Sequence, residues 1–148
     1  MQKNQRNLCL ELLKGSRKSL GEGKLTVLVD SWAWVGYFKG TELGKKAKDV
    51  IESGKKLLIS AINISEVYHF LLKYRDKDAE KLINFMLKSS FIIALDTNIA
   101  IKAAKLKHIY KMGLTDAIVL ATAEENNAEI LTGDSDFKNM KNVIYMGK

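Results

Sequence analysis

The sequence predicts an α/β fold of three layers, in which a parallel sheet carries helices on both faces. Short apolar runs, typical of strands buried on both faces, alternate with longer segments whose apolar residues have helical spacing. No hairpin signal joins consecutive strands, so each connection is expected to cross over through a helix. The 148 residues, of which 47% are hydrophobic, suit one domain with a sizeable core.

The first 24 residues differ in composition from the rest of the chain. A short apolar patch is followed by a polar, glycine-containing connector, GSRKSLGEGK. We therefore divide the chain into an N-terminal extension at residues 1–24, to which we assign no role, and a single domain at residues 25–148.

The domain begins with a predicted strand at residues 25–29, LTVLV, which Asp30 and Ser31 end. Either residue can cap the following helix, which starts with the aromatic segment WAWVGYF. The nearness of Trp32 and Trp34 to an acid suggests a platform for stacking nucleic-acid bases. We favour the other interpretation, that both rings pack against the sheet, because large aromatic side chains dominate protein cores.

The remaining elements continue the alternation of strands and helices. Apolar spacing predicts the helices, β-rich composition predicts the strands, and Gly113 is expected to end the helix that precedes it. The predicted segments are helices at residues 41–53, 64–74, 78–88, 98–112 and 115–123, and strands at residues 55–60, 91–95, 129–132 and 142–146.

Four carboxylates stand where these elements begin or end. Asp30 ends the first strand, and Asp134 follows the fourth. Glu66 lies early in the helix that leaves the second strand, and Asp116 starts the helix that leads into the fourth. Helix capping, the helix dipole or turn chemistry explains each acid alone. Ligands of open parallel sheets bind outside the carboxyl ends of the strands, however, so we expect all four acids to meet at one rim.

Such a cluster calls for a cation. Two carboxylates about 5 Å apart repel each other by roughly 3 kcal/mol at an effective dielectric constant of about 20. Oxygen ligands without histidine or cysteine favour Mg²⁺ or Mn²⁺, and metal-bound water is a nucleophile suited to a phosphodiester. Asp136, close behind Asp134, is a competing or assisting ligand. The hydroxyls of Ser31, Thr115 and Thr132 are candidates for supporting ligands or water.

The charge balance favours binding to a polyanion, of which nucleic acid and an acidic protein tail are the candidates. Twenty-four basic and 17 acidic residues give a formal net charge of +7, which attracts polyanions. Only three of the basic residues are arginines, so phosphate contacts would fall to lysine, although lysine-rich segments also serve solubility. The single cysteine, Cys9, indicates a reducing compartment, and no apolar run is long enough to span a bilayer. We therefore predict a cytoplasmic protein.

Four segments resemble the acidic signatures of the PIN-domain ribonucleases. They are VLVDS, ISEV, LTDAIVLATA and ILTGDSDF, and the likeness covers nearly all of residues 27–146. The compact size is similar to that of VapC-type toxins of toxin–antitoxin modules. Carried over by position, the metal-binding acids of the family would be Asp30, Glu66, Asp116 and Asp134.

The resemblance implies a fold, an activity and partners. The fold is a five-stranded parallel sheet in the order 3-2-1-4-5. The activity is a Mg²⁺- or Mn²⁺-dependent endoribonuclease, a phosphodiester hydrolase that cleaves single-stranded RNA. The implied partners are RNA, a cognate antitoxin protein and a second copy of the chain in a homodimer, with no membrane.

Two alternative functions stay open at the level of sequence. A phosphoacceptor signalling domain of the receiver type would place Asp30, Asp96 and Thr132 at strand ends, but it gives Glu66 and Asp116 no task. A PIN-like domain without catalytic activity would bind RNA or a protein partner only.

Overall fold

A single parallel sheet of five strands organises the chain. The computed structural model describes residues 25–147, so the predicted extension at residues 1–24 lies outside the described residues. The strand order is β3-β2-β1-β4-β5, and every pairing is parallel. The strands are Thr26–Val29 (β1), Lys56–Ser60 (β2), Phe91–Ile93 (β3), Glu129–Thr132 (β4) and Val143–Tyr145 (β5).

Six helices connect these strands, together with short 3-10 turns at Asp76–Asp78 and Ser135–Phe137. Side-chain caps start several of them, as at Thr41, whose hydroxyl accepts a hydrogen bond of 3.1 Å from the Gly44 backbone amide. The helices are Ser31–Lys39 (α1), Glu42–Ile51 (α2), Ala61–Tyr74 (α3), Ala79–Ser89 (α4), Thr97–Tyr110 (α5) and Leu114–Glu125 (α6).

Two hydrophobic cores lie on opposite faces of the sheet. Because side chains alternate along a strand, Val27 and Val29 belong to one core and Leu28 to the other. Helices α1 to α4 cover the first core, and α5 and α6 cover the second. The predicted three-layer fold and the strand order implied by the resemblance are therefore confirmed.

The two tryptophans of α1 have opposite environments. Trp34 is fully buried, whereas 60% of the Trp32 surface is exposed. The prediction that both rings pack against the sheet is wrong for Trp32. Residues two apart in a helix are separated by about 200°, so only one of the two faces the sheet.

The junction of α5 and α6 also differs from the prediction. Helix α5 ends at Tyr110, and Lys111 follows with a positive φ of 54°. Gly113, predicted to end α5, instead occupies the N-cap position of α6. The turn between the two helices is therefore short, and Asp116 falls in the first turn of α6.

Candidate metal centre

Asp30 is the most buried acid of the predicted set, with 4% of its surface exposed. Its backbone amide donates to the Leu131 carbonyl at 3.0 Å, which ties the end of β1 to β4. The carboxylate oxygen Oδ2 accepts from the Thr132 hydroxyl at 2.7 Å. The other oxygen, Oδ1, accepts from the Ser31 amide at 2.8 Å and from Asn63 Nδ2 at 3.0 Å. These bonds hold the carboxylate in one orientation at the centre of the rim.

Glu66 reaches the same rim from α3. The Ser31 hydroxyl donates to Glu66 Oε2 at 2.6 Å, and Asn63 Nδ2 donates to the same oxygen at 3.3 Å. Ser31 and Asn63 therefore link Glu66 to Asp30, although the two acids lie on different elements. The predicted approach of Glu66 to Asp30 at the rim is therefore found in the structure.

Asp116, Asp134 and Asp136 form a second group of acids. Each contributes a carboxylate oxygen, and these three oxygens all lie within 4.8 Å of one another. The Asp134 amide donates to the Thr132 hydroxyl at 3.0 Å, and Asp134 Oδ1 accepts from the Asp136 amide at 2.9 Å. Asp30 and Glu66 are not in this tight group. Asp134 and Asp136 both stand beside Asp116, and which of the two is a metal ligand stays a prediction.

The predicted supporting hydroxyls have unequal roles. Thr132, which is fully buried, donates to Asp30 and accepts from the Asp134 amide, so it connects the two groups of acids. Ser31 joins Asp30 and Glu66. Within residues 25–147, no hydrogen bond of the Thr115 hydroxyl to another group is found. The structure thus gives Ser31 and Thr132 contacts with the acids and gives Thr115 none.

Burial and mutual repulsion shift the titration of two acids. Burial raises the pKa of Asp30, hydrogen bonds from Thr132 and Ser31 oppose this, and the charges of Glu66 and Asp134 add to it. The pKa of Asp116 is raised from 3.8 to about 6, first by burial and then by the neighbouring carboxylates, of which Asp134 contributes most. The charges of all five acids therefore interact, in spite of their division into two groups.

Asn63 is a site residue that the sequence reasoning did not select. It is fully buried on α3, and its amide nitrogen faces both Asp30 and Glu66. An amide oxygen in that position would repel two carboxylates, so the assignment of Nδ2 to this side is chemically required. The sequence signal was available, since a polar residue three positions before Glu66 lies on the same helix face.

The donor set suits a hard divalent cation. It consists of carboxylates, with no histidine or cysteine in the group of three acids. Asp30 Oδ2 accepts one hydrogen bond, which leaves a lone pair for a cation, and the buried Asn63 Oδ1 has no hydrogen-bond partner among the described residues. The ion pairs found at residues 25–147 involve other acids, namely Glu42, Asp78, Glu124 and Glu125.

Asp96 takes a structural role. Its carboxylate oxygen accepts from the Ile99 amide at 2.9 Å, which caps α5. It is not among the charges that shift Asp30 or Asp116. The receiver-like alternative placed Asp96 at a strand end as part of its site, and in the structure this acid caps a helix.

Sequence comparison assigns the family. The chain matches the PIN domain over residues 27–143, which is most of its length. It therefore belongs to the PIN-domain family. No curated protein matched the chain significantly. The match spans all five acids of the rim.

Solved structures with the same fold include several toxin–antitoxin complexes. A chain of a toxin–antitoxin complex from Klebsiella pneumoniae is 29% identical, with 82% of this chain and 98% of that chain covered and a TM-score of 0.72. VapBC2 from Rickettsia felis, bound to a promoter DNA fragment, is 16% identical, with 81% and 96% covered and a TM-score of 0.65. VapC20 from Mycobacterium tuberculosis, a sarcin–ricin loop cleaving toxin, is 14% identical, with 78% and 95% covered and a TM-score of 0.65.

The helices of the described residues are too short or too polar to cross a bilayer.

Proposed function

We propose that this chain is a Mg²⁺- or Mn²⁺-dependent endoribonuclease that cleaves single-stranded RNA and acts as the toxin of a toxin–antitoxin pair. The observation that carries the proposal is the convergence of five carboxylates at one rim of the sheet, two of them with a raised pKa. Such crowding is unfavourable without a cation. Membership of the PIN-domain family supports nuclease chemistry.

The acids have distinct tasks in this proposal. Asp30, Glu66 and Asp116 would hold the main ion, and Asp134 would complete the site or a second metal position, with Asp136 beside it. A bound Mg²⁺ or Mn²⁺ would supply an activated water and would stabilise charge on the phosphodiester. Asp116 must lose its proton before it binds a cation, and its raised pKa places that loss near pH 6.

Residues behind the acids hold them in place. Asn63 and Ser31 donate hydrogen bonds to Asp30 and Glu66, and Thr132 donates to Asp30. Donors fixed in this way keep carboxylate oxygens pointed at one position, which is what a cation site requires. The hydroxyl of Thr115, with no such bond, is left as a candidate for contact with bound water.

The proposed macromolecular partners are RNA, an antitoxin and a second copy of the chain. The net charge of +7 favours association with RNA, and lysines would provide most phosphate contacts. The antitoxin is proposed from the likeness to the Klebsiella pneumoniae toxin–antitoxin complex at 29% identity, and the homodimer from the resemblance of the sequence to PIN-domain toxins. A reducing, cytoplasmic setting is consistent with a single cysteine.

Cleavage of a panel of structured and unstructured RNAs tests the proposal. The panel is incubated with the wild-type chain in Mg²⁺, in Mn²⁺ and in chelator, beside Asp116→Asn. We expect cleavage of unstructured RNA only with metal, and a loss of at least about 100-fold in Asp116→Asn, because a metal ligand is worth no less than the residues that support it. Asp49→Asn, which changes an exposed acid on α2, is the matched control and should cleave as the wild type does.

Two results would contradict the proposal. Cleavage by Asp116→Asn at the wild-type rate would exclude that acid from the metal site. If the wild type neither cleaves any RNA nor gains thermal stability from Mg²⁺, the chain is a PIN domain that only binds RNA or a partner.

A further inference from the structure

Trp32 is an exposed aromatic residue that the fold does not use. Its surface is 60% exposed, and no ring or cation–π contact of its indole is found within residues 25–147. Two other exposed rings do have such contacts. Phe91, 61% exposed, lies under the Lys56 ammonium at 4.8 Å, and Tyr74, 59% exposed, lies 5.0 Å from Lys73. An indole that is mostly exposed and has no partner contributes little to the stability of the fold.

The position of Trp32 connects it with the acid rim. It follows Ser31, whose hydroxyl bonds to Glu66, and it lies two residues after Asp30 in the first turn of α1. Two residues of helix correspond to about 3 Å along the axis. Since Trp34 faces the core, Trp32 projects from the solvent side of the same helix. Trp32 therefore presents an exposed ring from the turn of α1 that begins at the carboxyl edge of the sheet, two residues after Asp30.

We propose that Trp32 positions single-stranded RNA by stacking on a base that flanks the phosphodiester to be cut. The inference rests on the proposed function, since it takes the acid rim as the place of cleavage. Stacking suits this chain, because an indole ring accepts any base and contributes about 10- to 100-fold in affinity for each base. Only three arginines are present, and lysine holds a phosphate without fixing the orientation of the base.

Stacking on Trp32 also selects the substrate class. A base inside a duplex is already stacked and paired on both sides, so it cannot cover the ring without being pulled out of the helix. An unpaired base can stack on the ring without the free-energy cost of leaving a duplex. The ring would thus favour single strands and loops over duplex RNA, and purines over pyrimidines because of their larger rings.

Binding and fluorescence measurements with four variants test the inference. The probes are 12-nucleotide adenylate and uridylate RNAs, titrated into the wild type and into Asp116→Asn, in which cleavage does not consume the probe. We expect RNA to quench tryptophan emission in the wild type, and Trp32→Phe to lose that quenching while Trp34 emission remains. Trp32→Ala should bind about tenfold more weakly, Trp32→Phe should recover most of this loss, and Phe91→Ala should bind normally. Phe91 is the matched control, since it is equally exposed but starts β3, at the opposite edge of the sheet from the acids.

Kinetics and a modified substrate separate stacking from a structural effect. On a cleaved RNA, Trp32→Ala should raise KM about tenfold and change kcat by less than about threefold. Replacing the base beside the cut by an abasic sugar should weaken binding of the wild type to the level of Trp32→Ala. The abasic sugar should not weaken RNA binding to Trp32→Ala further, because both changes remove the same stacking contact.

The outcomes distinguish this inference from the proposed function. Cleavage that depends on Asp116 but is unaffected by Trp32→Ala in KM and binding overturns the stacking role and leaves the nuclease intact. RNA that quenches Trp32 without being cut overturns the nuclease and the placement of the stacked base beside a cut, and it leaves only the binding of a base by the ring. Absence of any RNA binding overturns the stacking role. A Trp32→Ala chain that cleaves normally but escapes its antitoxin would assign the ring to a protein partner and would also overturn it.

Discussion

At the scale of single residues, Asn63 shows how a neutral donor permits two acids to share a rim. Its amide nitrogen lies 3.0 Å from Asp30 Oδ1 and 3.3 Å from Glu66 Oε2, and the side chain is fully buried. Asparagine offers hydrogen-bond donors without a charge. An aspartate of the same shape would offer none, and it would add a third negative charge to the pair.

We therefore expect Asn63→Asp to destabilise the metal-free chain by about 3 kcal/mol or more, as an uncompensated buried charge does. The measurement is the free energy of unfolding from urea titration in chelator. Asn84→Asp, at an exposed position of α4, is the matched control and should stay within about 0.5 kcal/mol of the wild type. Equal stability of the two variants would show that the Asn63 amide does not hold the acids.

At the scale of elements, helices α1 and α2 meet through two glycines. A Cβ atom at Gly44 would overlap the backbone of Gly36, with the Gly36 carbonyl carbon at 2.6 Å, whereas a Cβ at Gly36 would lie 3.5 Å from the Gly44 Cα. The contact therefore leaves no room for a side chain at Gly44, but it does leave room for one at Gly36. It matters for the site because α1 begins at Ser31, immediately after Asp30.

Gly44→Ala is expected to lower the free energy of unfolding by about 1–3 kcal/mol, because the two helices must move apart. Gly36→Ala, in the same contact, should be neutral or stabilising by up to about 1 kcal/mol, since alanine favours a helix interior and meets only ordinary contacts. Urea midpoints of both variants measure the difference. Destabilisation of the same size in both would mean that the contact is not as close as described.

At the scale of the whole molecule, the acid rim couples stability to pH. The pKa of Asp116 is about 6 in the folded chain and has its ordinary value of 3.8 when unfolded, so the fold favours the protonated form. The stability that protonation provides is fully present below about pH 4 and is lost as pH rises through 6. The raised pKa of Asp30 acts in the same direction.

In chelator, the melting temperature of the wild type should therefore fall between pH 4 and pH 7. The decrease should be smaller in Asp116→Asn. We expect Asp116→Asn to be more stable than the wild type by about 1 kcal/mol at pH 7, less than full linkage gives because the side chain is only half-buried and water screens it. Asp49→Asn should retain the wild-type pH dependence. Identical pH profiles for wild type and Asp116→Asn would contradict the repulsion at the rim.

At neutral pH, Mg²⁺ should restore the stability that the wild type loses when the rim acids ionise. A ligand at 100 times its Kd stabilises a folded chain by about 2.7 kcal/mol, which for a domain of this size raises the melting temperature by roughly 5–10 °C. Differential scanning calorimetry with and without Mg²⁺ measures the effect, and Asp116→Asn should show little of it. An equal shift in both proteins would place the bound ion elsewhere.

The amino-acid sequence is sufficient to predict the order of the elements, the parallel sheet and the acids at its carboxyl edge. These follow from local rules, since apolar periodicity marks strands and helices, and parallel strands bring their carboxyl ends to one edge. The same rules predict that Asp30, Glu66, Asp116 and Asp134 lie at that edge. Their role as metal ligands is a proposal that the Asp116→Asn experiment tests.

Only the tertiary structure decided how the side chains at the rim meet. Thr132 and Asp30 lie 102 positions apart, yet one hydroxyl connects them, and Asp136 joins Asp116 and Asp134 within 4.8 Å. The rotation of α1 about its axis buried Trp34 and left Trp32 exposed. Such details depend on strand register and helix rotation, which are set by packing between distant segments and are not written in any local pattern.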